Sequence, residues 1–68
     1  MIKTLSVAET CRILNEHGMS ITPERLRAGL QQGVYPFGVA IKLKEYCYEI
    51  YSTLLYKWVE ERISEEVA

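Results

Sequence analysis

Sixty-eight residues (7.9 kDa), 49% hydrophobic and 25% charged, are enough for one small domain, 1–68, with a single modest core. That size excludes a two-domain enzyme, a cofactor-sized sheet or a barrel, and the composition is that of an ordinary globular chain rather than a disordered one. The formal net charge of −1 argues mildly against a strongly basic nucleic-acid binder.

The charge is unevenly placed. Residues 1–59 hold seven of the eight basic residues and five of the nine Glu, a net of +2, whereas 60–68 hold Arg62 against four Glu, a net of −3. A weakly basic body with an acidic end can still present a local basic face. No apolar run approaches the roughly 18 residues of a membrane span. The opening MIKTLSVAET lacks an apolar h-region, so no signal peptide is expected and the cytoplasm is the expected compartment.

The first element opens with Ser6 and Glu9, a capping-box spacing. Val7, Ala8, Cys11 and Leu14 follow at helical intervals and share one face, and His17-Gly18 ends the pattern, which predicts a helix over 7–16. His17 at that end is expected to cap carbonyls or stand in solvent. After a short connector in which Ile21 is expected to enter the core, Thr22 and Pro23 supply a cap and a first helical position. Leu26 and Leu30 face inward, Arg25, Arg27, Gln31 and Gln32 face outward, and Gly33 stops a second helix over 23–32.

Two short helices joined by a tight connector form a helix-turn-helix-like unit. Arg pairs bidentately with guanine and Gln with adenine in a major groove about as wide as a helix. The same residues are also good helix formers on a plain solvated face.

Helical periodicity then stops. VYPFG at 34–38 reads as a structured loop with Phe37 buried. VAIKL at 39–43 alternates, with Val39, Ile41 and Leu43 on one side and Ala40 and Lys42 on the other. YCYEIY at 46–51 is rich in strand formers, and Lys44-Glu45 is the expected turn between the two. A hairpin packed on such helices is the winged form of the helix-turn-helix, with Lys42 and Lys44 placed to meet phosphates. Leu54, Leu55, Trp58, Val59 and Ile63 form a wide apolar stripe that predicts a third helix over 53–65, with Trp58 as a core anchor. Its acidic tail, 64–68, is expected to fray, to meet a positive partner or simply to be solvated.

Catalytic machinery is hard to assemble from this chain. It has no Asp and one His, and neither a P-loop nor a GxGxxG spacing. Cys11 and Cys47 lie 36 apart with no CxxC or zinc spacing, and two buried free thiols are expected. No enzyme, metal or cofactor is therefore expected. Of the five tyrosines, Tyr35, Tyr46, Tyr48, Tyr51 and Tyr56, three fall in the second strand. There, cross-strand packing, base stacking or self-association would each use them.

The order of these elements resembles the small winged helix-turn-helix proteins of the excisionase and MerR-like group. SVAETCRILN is similar to that group's first helix, TPERLRAGLQQG to its recognition helix, GVYPFGVAIK with YEIY to its loop and wing, and LLYKWV to its closing helix. The resemblance implies an α+β, mostly α, winged fold in a phage or mobile-element protein. It further implies sequence-specific binding of double-stranded DNA, for site-specific recombination or transcription control. Helix 23–32 would enter the major groove and the wing, 39–51, would lie on the backbone. By position, Arg25, Arg27, Gln31 and Gln32 become groove residues, Thr22 a phosphate contact, and Lys42 and Lys44 wing contacts. Further copies of the chain, a recombinase or another phage protein are the implied partners, and the bound protein would sit on the nucleoid. Glu45 at the wing and the negative net charge depart from that pattern. Two rival expectations stand beside it. One is a protein-interaction adaptor using Tyr51, Tyr56 and the acidic final helix. The other is a DNA-packaging or replication accessory protein.

Overall fold

The computed structural model describes residues 1–67, with side chains described through Ile63. The element order is β1 (Thr4–Leu5), α1 (Val7–Glu16), α2 (Pro23–Gln32), β2 (Gly38–Lys42), β3 (Tyr46–Tyr51) and α3 (Ser52–Val67). This is a small α+β domain, about half helical, with three helices and a three-stranded antiparallel sheet in the order β1-β3-β2.

Both leading helices begin and end where local chemistry requires. At α1, the Ser6 hydroxyl accepts the Glu9 N–H at 3.1 Å, and a Glu9 carboxylate oxygen accepts the Ser6 N–H at 3.2 Å. The far end is closed by His17, whose N–H reaches the Ile13 and Leu14 carbonyls, and whose ring Nδ1 lies 2.9 Å from the Ile13 carbonyl oxygen. A carbonyl only accepts, so that nitrogen carries the proton. At α2, the Thr22 hydroxyl accepts the Arg25 N–H at 3.2 Å and Pro23 occupies the first turn. Gly33 ends the helix at φ 72°, a left-handed conformation that favours glycine. Asn15 stitches the connector by donating to the Cys11 carbonyl at 2.8 Å and the Ile21 carbonyl at 3.3 Å.

Strand β3 is the centre of the sheet. Ile50 pairs with Leu5 on one side and Gly38 on the other, and its side chain is fully buried. The chain then passes directly into α3, where the Ser52 N–H donates to the Lys3 carbonyl at 3.0 Å. Phe37, Leu14, Leu26, Ile50 and Leu55 form the fully buried centre, with Cys11, Ile13, Ile21, Leu30 and Val59 around them. Burying each large apolar side chain contributes about 1.5–3 kcal/mol before entropy is counted.

Aromatic rings join the helices to the hairpin. Tyr35 stacks on Phe37 (centroids 5.3 Å apart), and Trp58 meets both rings edge-on at 5.2 and 6.2 Å. The other side of Tyr35 lies against Gly29, where an added Cβ would stand within 2.6 Å of the Tyr35 Cδ2 atom.

Several expectations are corrected. Two-residue β1 adds a third strand to the expected hairpin. Strand β2 ends at Lys42, and residues 43–45 form the turn, closed by the Leu43 N–H on the Glu45 carbonyl at 3.0 Å. Alternation in β2 holds, but its apolar side faces outward. Ala40 packs on the core, whereas Val39 and Ile41 are 43% and 40% exposed, and Leu43 is exposed in the turn. On α1, Ala8 is exposed and Thr10 and Ile13 are buried in its stead; the Thr10 hydroxyl is satisfied by the Ser6 carbonyl at 2.8 Å. On α3, Leu54 and Ile63 are exposed, which narrows the expected stripe to Leu55, Trp58 and Val59. Helix α3 starts at Ser52 and extends to Val67, beyond the expected 53–65; the side chains of the acidic tail, 64–68, lie outside the described residues.

Two measurements test this packing. Gly29→Ala gains about 1 kcal/mol of helix propensity but overpacks the Tyr35 ring at a cost of about 1–3 kcal/mol, so urea unfolding should show a net loss of up to about 2 kcal/mol. In a Tyr35→Ala background, where the ring is gone, the same substitution at Gly29 should cost nothing further. A stabilised Gly29→Ala single variant would contradict the contact.

The second concerns pH. Hydrogen bonds with Ser6 lower the Glu9 pKa below the ordinary 4.5. A carboxylate depressed in the folded state stabilises above its ordinary value and loses that contribution as pH falls through its folded value. Thermal unfolding followed from pH 6 downward should therefore show a loss beginning near about pH 4.5 that is absent in Glu9→Gln, which keeps a neutral acceptor at the cap.

Candidate nucleic-acid interface

Helix α2 buries Leu26, Gly29 and Leu30, and so presents its remaining side chains outward or sideways. A helix turns about 100° per residue. Arg25 and Arg27 therefore lie on opposite flanks of the exposed face, with Glu24, Ala28 and Gln31 between them. Arg25, Gln31 and Gln32 are exposed and Arg27 is half-buried. Arg27 is close enough to Cys11 for its charge to oppose the rise that burial imposes on the thiol pKa. Neither Arg25 nor Arg27 forms an ion pair among the described residues; the surface pair is Arg12 with Glu16 at 4.0 Å. Thr22 uses its hydroxyl oxygen on the Arg25 N–H, which leaves the hydroxyl hydrogen for an external acceptor.

The hairpin supplies the neighbouring surface. On β3, Tyr46, Tyr48 and Ile50 share one face, and register sets Tyr48 opposite Ala40 and Tyr46 opposite Lys42. Tyr46 and Tyr48 stack on each other with centroids 6.3 Å apart, and the Lys42 ammonium sits 5.9 Å from the centre of the Tyr46 ring. The Gln31 side-chain N–H donates to the Tyr48 hydroxyl at 2.7 Å. Gln31, Tyr48, Tyr46 and Lys42 thus form one continuous row from the last turn of α2 to the end of β2. Lys44 stands exposed in the turn just beyond it, beside Glu45.

Of the residues singled out from the sequence, the row brings Gln31 and Lys42 together, with Lys44 at its end. No interaction among the described residues ties Thr22, Arg25, Arg27 or Gln32 to it; Thr22 caps the far end of α2, and the other three lie along that helix. The row also contains Tyr46 and Tyr48, which the sequence offered for cross-strand packing, base stacking or self-association and not among the duplex contacts. Period-two alternation from the buried Ile50 places both on the inner face, and that signal was legible in YCYEI. Their contact with each other is along one strand rather than across two.

Elsewhere the surface has a different character. Val39, Ile41, Cys47, Glu49 and Tyr51 occupy the outward face of the sheet, and the Tyr51 hydroxyl donates to Glu49 at 3.1 Å, which raises the Tyr51 pKa above 10. A concavity of about 330 Å³ lies between the end of α1 and α3, lined by Leu14, Met19, Trp58, Val59 and Ile63, with His17 and Arg62 beside them. The Arg62 guanidinium sits 4.7 Å over the Trp58 ring. Among the described residues no group of three His, Cys or Glu is placed to hold a metal ion, and no helix is long and apolar enough to cross a membrane.

Cys47 corrects the expectation of two buried thiols. It is exposed on the outward sheet face, because its position in β3 alternates with that of buried Ile50, whereas Cys11 lies on the buried face of α1.

Comparison with family models, curated proteins and solved structures gave no match.

The cysteine environments give a direct check. Burial lowers access to Cys11 and raises its thiol pKa. A chromogenic disulfide reagent near neutral pH should modify one thiol per folded chain rapidly and the second only after denaturant is added. The Cys47→Ser variant should remove the rapid phase entirely.

Proposed function

We propose that this chain is a small sequence-specific binder of double-stranded DNA with a winged helix-turn-helix layout. In this reading α2 lies in the major groove and the β2–β3 hairpin lies on the adjoining backbone. The observation that carries it is the pairing of an exposed Arg- and Gln-bearing helix face with a Lys- and Tyr-bearing hairpin face. Arg25, Arg27, Gln31 and Gln32 belong to the first, and Lys42 and Lys44 to the second. The helix arginines have no competing ion pair among the described residues. The resemblance to the excisionase and MerR-like group points the same way. It suggests a phage or mobile-element protein that shapes DNA for recombination or regulates transcription. DNA packaging or replication would use the same surface.

Affinity on this reading is built from few charges. Arg25, Arg27, Lys42 and Lys44 neutralise about four phosphates, and Thr22 adds a neutral hydroxyl donor. Base readout by Arg25, Arg27, Gln31 or Gln32 adds discrimination of about 1–3 kcal/mol for each good bidentate pair.

A protein-interaction role is the second reading. What favours it is the outward sheet face, where Val39 and Ile41 stand exposed beside Cys47. An adaptor surface built on Tyr51, Tyr56 and the final helix is less compact, because half-buried Tyr51 is bonded to Glu49 and exposed Tyr56 lies on α3.

One set of titrations separates the two. Duplexes selected from a random pool and titrated by fluorescence anisotropy should bind with a logarithmic salt slope of about −3 to −4. Arg25→Ala with Arg27→Ala should weaken binding and flatten the slope by about 2. Val39→Ser with Ile41→Ser should leave binding unchanged. Binding that ignores salt and the arginines, or that is lost with the sheet-face pair, would reject the assigned surface.

A further inference from the structure

We infer that Tyr48 is a positioning residue that pre-orders Gln31 to read an adenine edge; this deepens the DNA-binding proposal above and rests on it. Gln31 is exposed at the last turn of α2, where a long amide side chain ordinarily samples several rotamers. Here its Nε2–H is held by the Tyr48 hydroxyl at 2.7 Å, across 17 residues of chain. Tyr48 in turn is half-buried, packs against the core and is stacked on Tyr46. The hydroxyl is therefore mounted on the packed sheet rather than on a mobile loop.

The chemistry of the amide specifies the base. A primary amide has two N–H donors and one carbonyl acceptor. When the N–H trans to the carbonyl oxygen is the one given to Tyr48, the other N–H and the carbonyl oxygen stand together on the free edge. That donor-acceptor pair matches adenine, which offers N7 as acceptor and N6–H as donor in the major groove. Guanine presents acceptors at both N7 and O6, so the carbonyl would face an acceptor there. The Tyr48 hydroxyl, which accepts from Gln31, keeps its own hydrogen for water.

Pre-ordering has a measurable scale. Immobilising a rotamer-rich side chain on binding costs about 0.5–1.5 kcal/mol, which corresponds to about 2- to 12-fold in affinity. Because only the cognate site uses the Gln31 amide, removing the latch should lower discrimination by that factor without changing the contacts to phosphate. Removing the amide itself should cost more, about 5-fold or greater.

The test compares Tyr48→Phe, Gln31→Ala and the double variant on the selected duplex and on the same duplex with each A·T pair in turn changed to G·C. Tyr48→Phe keeps the ring and its stacking and deletes only the hydroxyl. The expected result is a single A·T pair whose preference falls about 2- to 12-fold in Tyr48→Phe and further in Gln31→Ala. The double variant should be no worse than Gln31→Ala, and the salt slope should be unchanged throughout. In the free protein, the Gln31 side-chain amide resonances should be displaced from random-coil positions and return to them in Tyr48→Phe. Random-coil amide resonances in the unmodified protein would overturn the latch whether or not DNA binds. A dispersed amide with full discrimination retained by Tyr48→Phe would overturn the positioning role while leaving DNA binding intact. Failure of the unmodified protein to bind any duplex would reject the underlying function, and the readout role with it.

Discussion

The seating of α2 against the hairpin depends on the flat contact between the Tyr35 ring and Gly29. A side chain at residue 29 would run into the Tyr35 ring, and loss of the ring would leave α2 seated through Leu26 and Leu30 alone. Tyr35 is in turn held by Phe37 and Trp58, so α2, the 34–37 loop and α3 meet at one aromatic cluster. With that distance fixed, Gln31 comes within hydrogen-bond reach of Tyr48. Two elements that would otherwise move separately present one surface.

That surface is sparsely charged. Arg25 and Arg27 stand on opposite flanks of α2, and Glu24 and Glu45 lie close to the cations proposed to meet phosphates. A chain of net charge −1 cannot rely on a broad positive field. Long-range attraction is weak, so any selectivity must come from the placement of a few donors and acceptors. Fixed geometry is worth more under those conditions than in a highly basic protein, where counterion release dominates. The outward sheet face has no cation among Val39, Ile41, Cys47, Glu49 and Tyr51, whereas Lys42 and Gln31 lie on the inner row and Arg25 and Arg27 on the α2 flanks.

The helices were legible because their punctuation is chemical and local. Ser6 with Glu9, Thr22 with Pro23, and Gly33 each mark a boundary through interactions within four residues, and α1 and α2 span the expected residues. Strand β3 was legible for a similar reason, as a dense run of strand formers ending at the next helix. Strand β1 was not, because two residues carry no periodicity and Thr4–Leu5 is a strand only by virtue of Tyr51 and Ile50 opposite. Which face of β2 packs was also hidden. Composition favours Val39 and Ile41, but it is Ala40 that packs on the core, and a side chain at Gly38 would meet the Glu49 carbonyl and Ile50 of β3. The exposure of Cys47 follows from the same long-range choice of face. Among the site residues, helix position identified Gln31 and the hairpin identified Lys42. Their connection through Tyr48 and Tyr46 needed the register of β3.

Sharing elements between core and surface has an energetic consequence in so small a domain. Stability of about 0.05–0.15 kcal/mol per residue gives a chain of this length about 3–10 kcal/mol in total. A ligand bound across α2 and the hairpin at a hundred times its Kd adds about 2.7 kcal/mol, a large fraction of that total. Occupancy of the proposed surface would therefore stabilise the packing at Gly29 and Tyr35. Conversely, weakening that packing would weaken binding without any change to a contacting side chain. Loss of binding on mutation of a row residue locates the interface only when unfolding measured on the free chain is unchanged. Tyr48→Phe is suited to that distinction because the ring that packs on the core is retained and only the hydroxyl that meets Gln31 is removed.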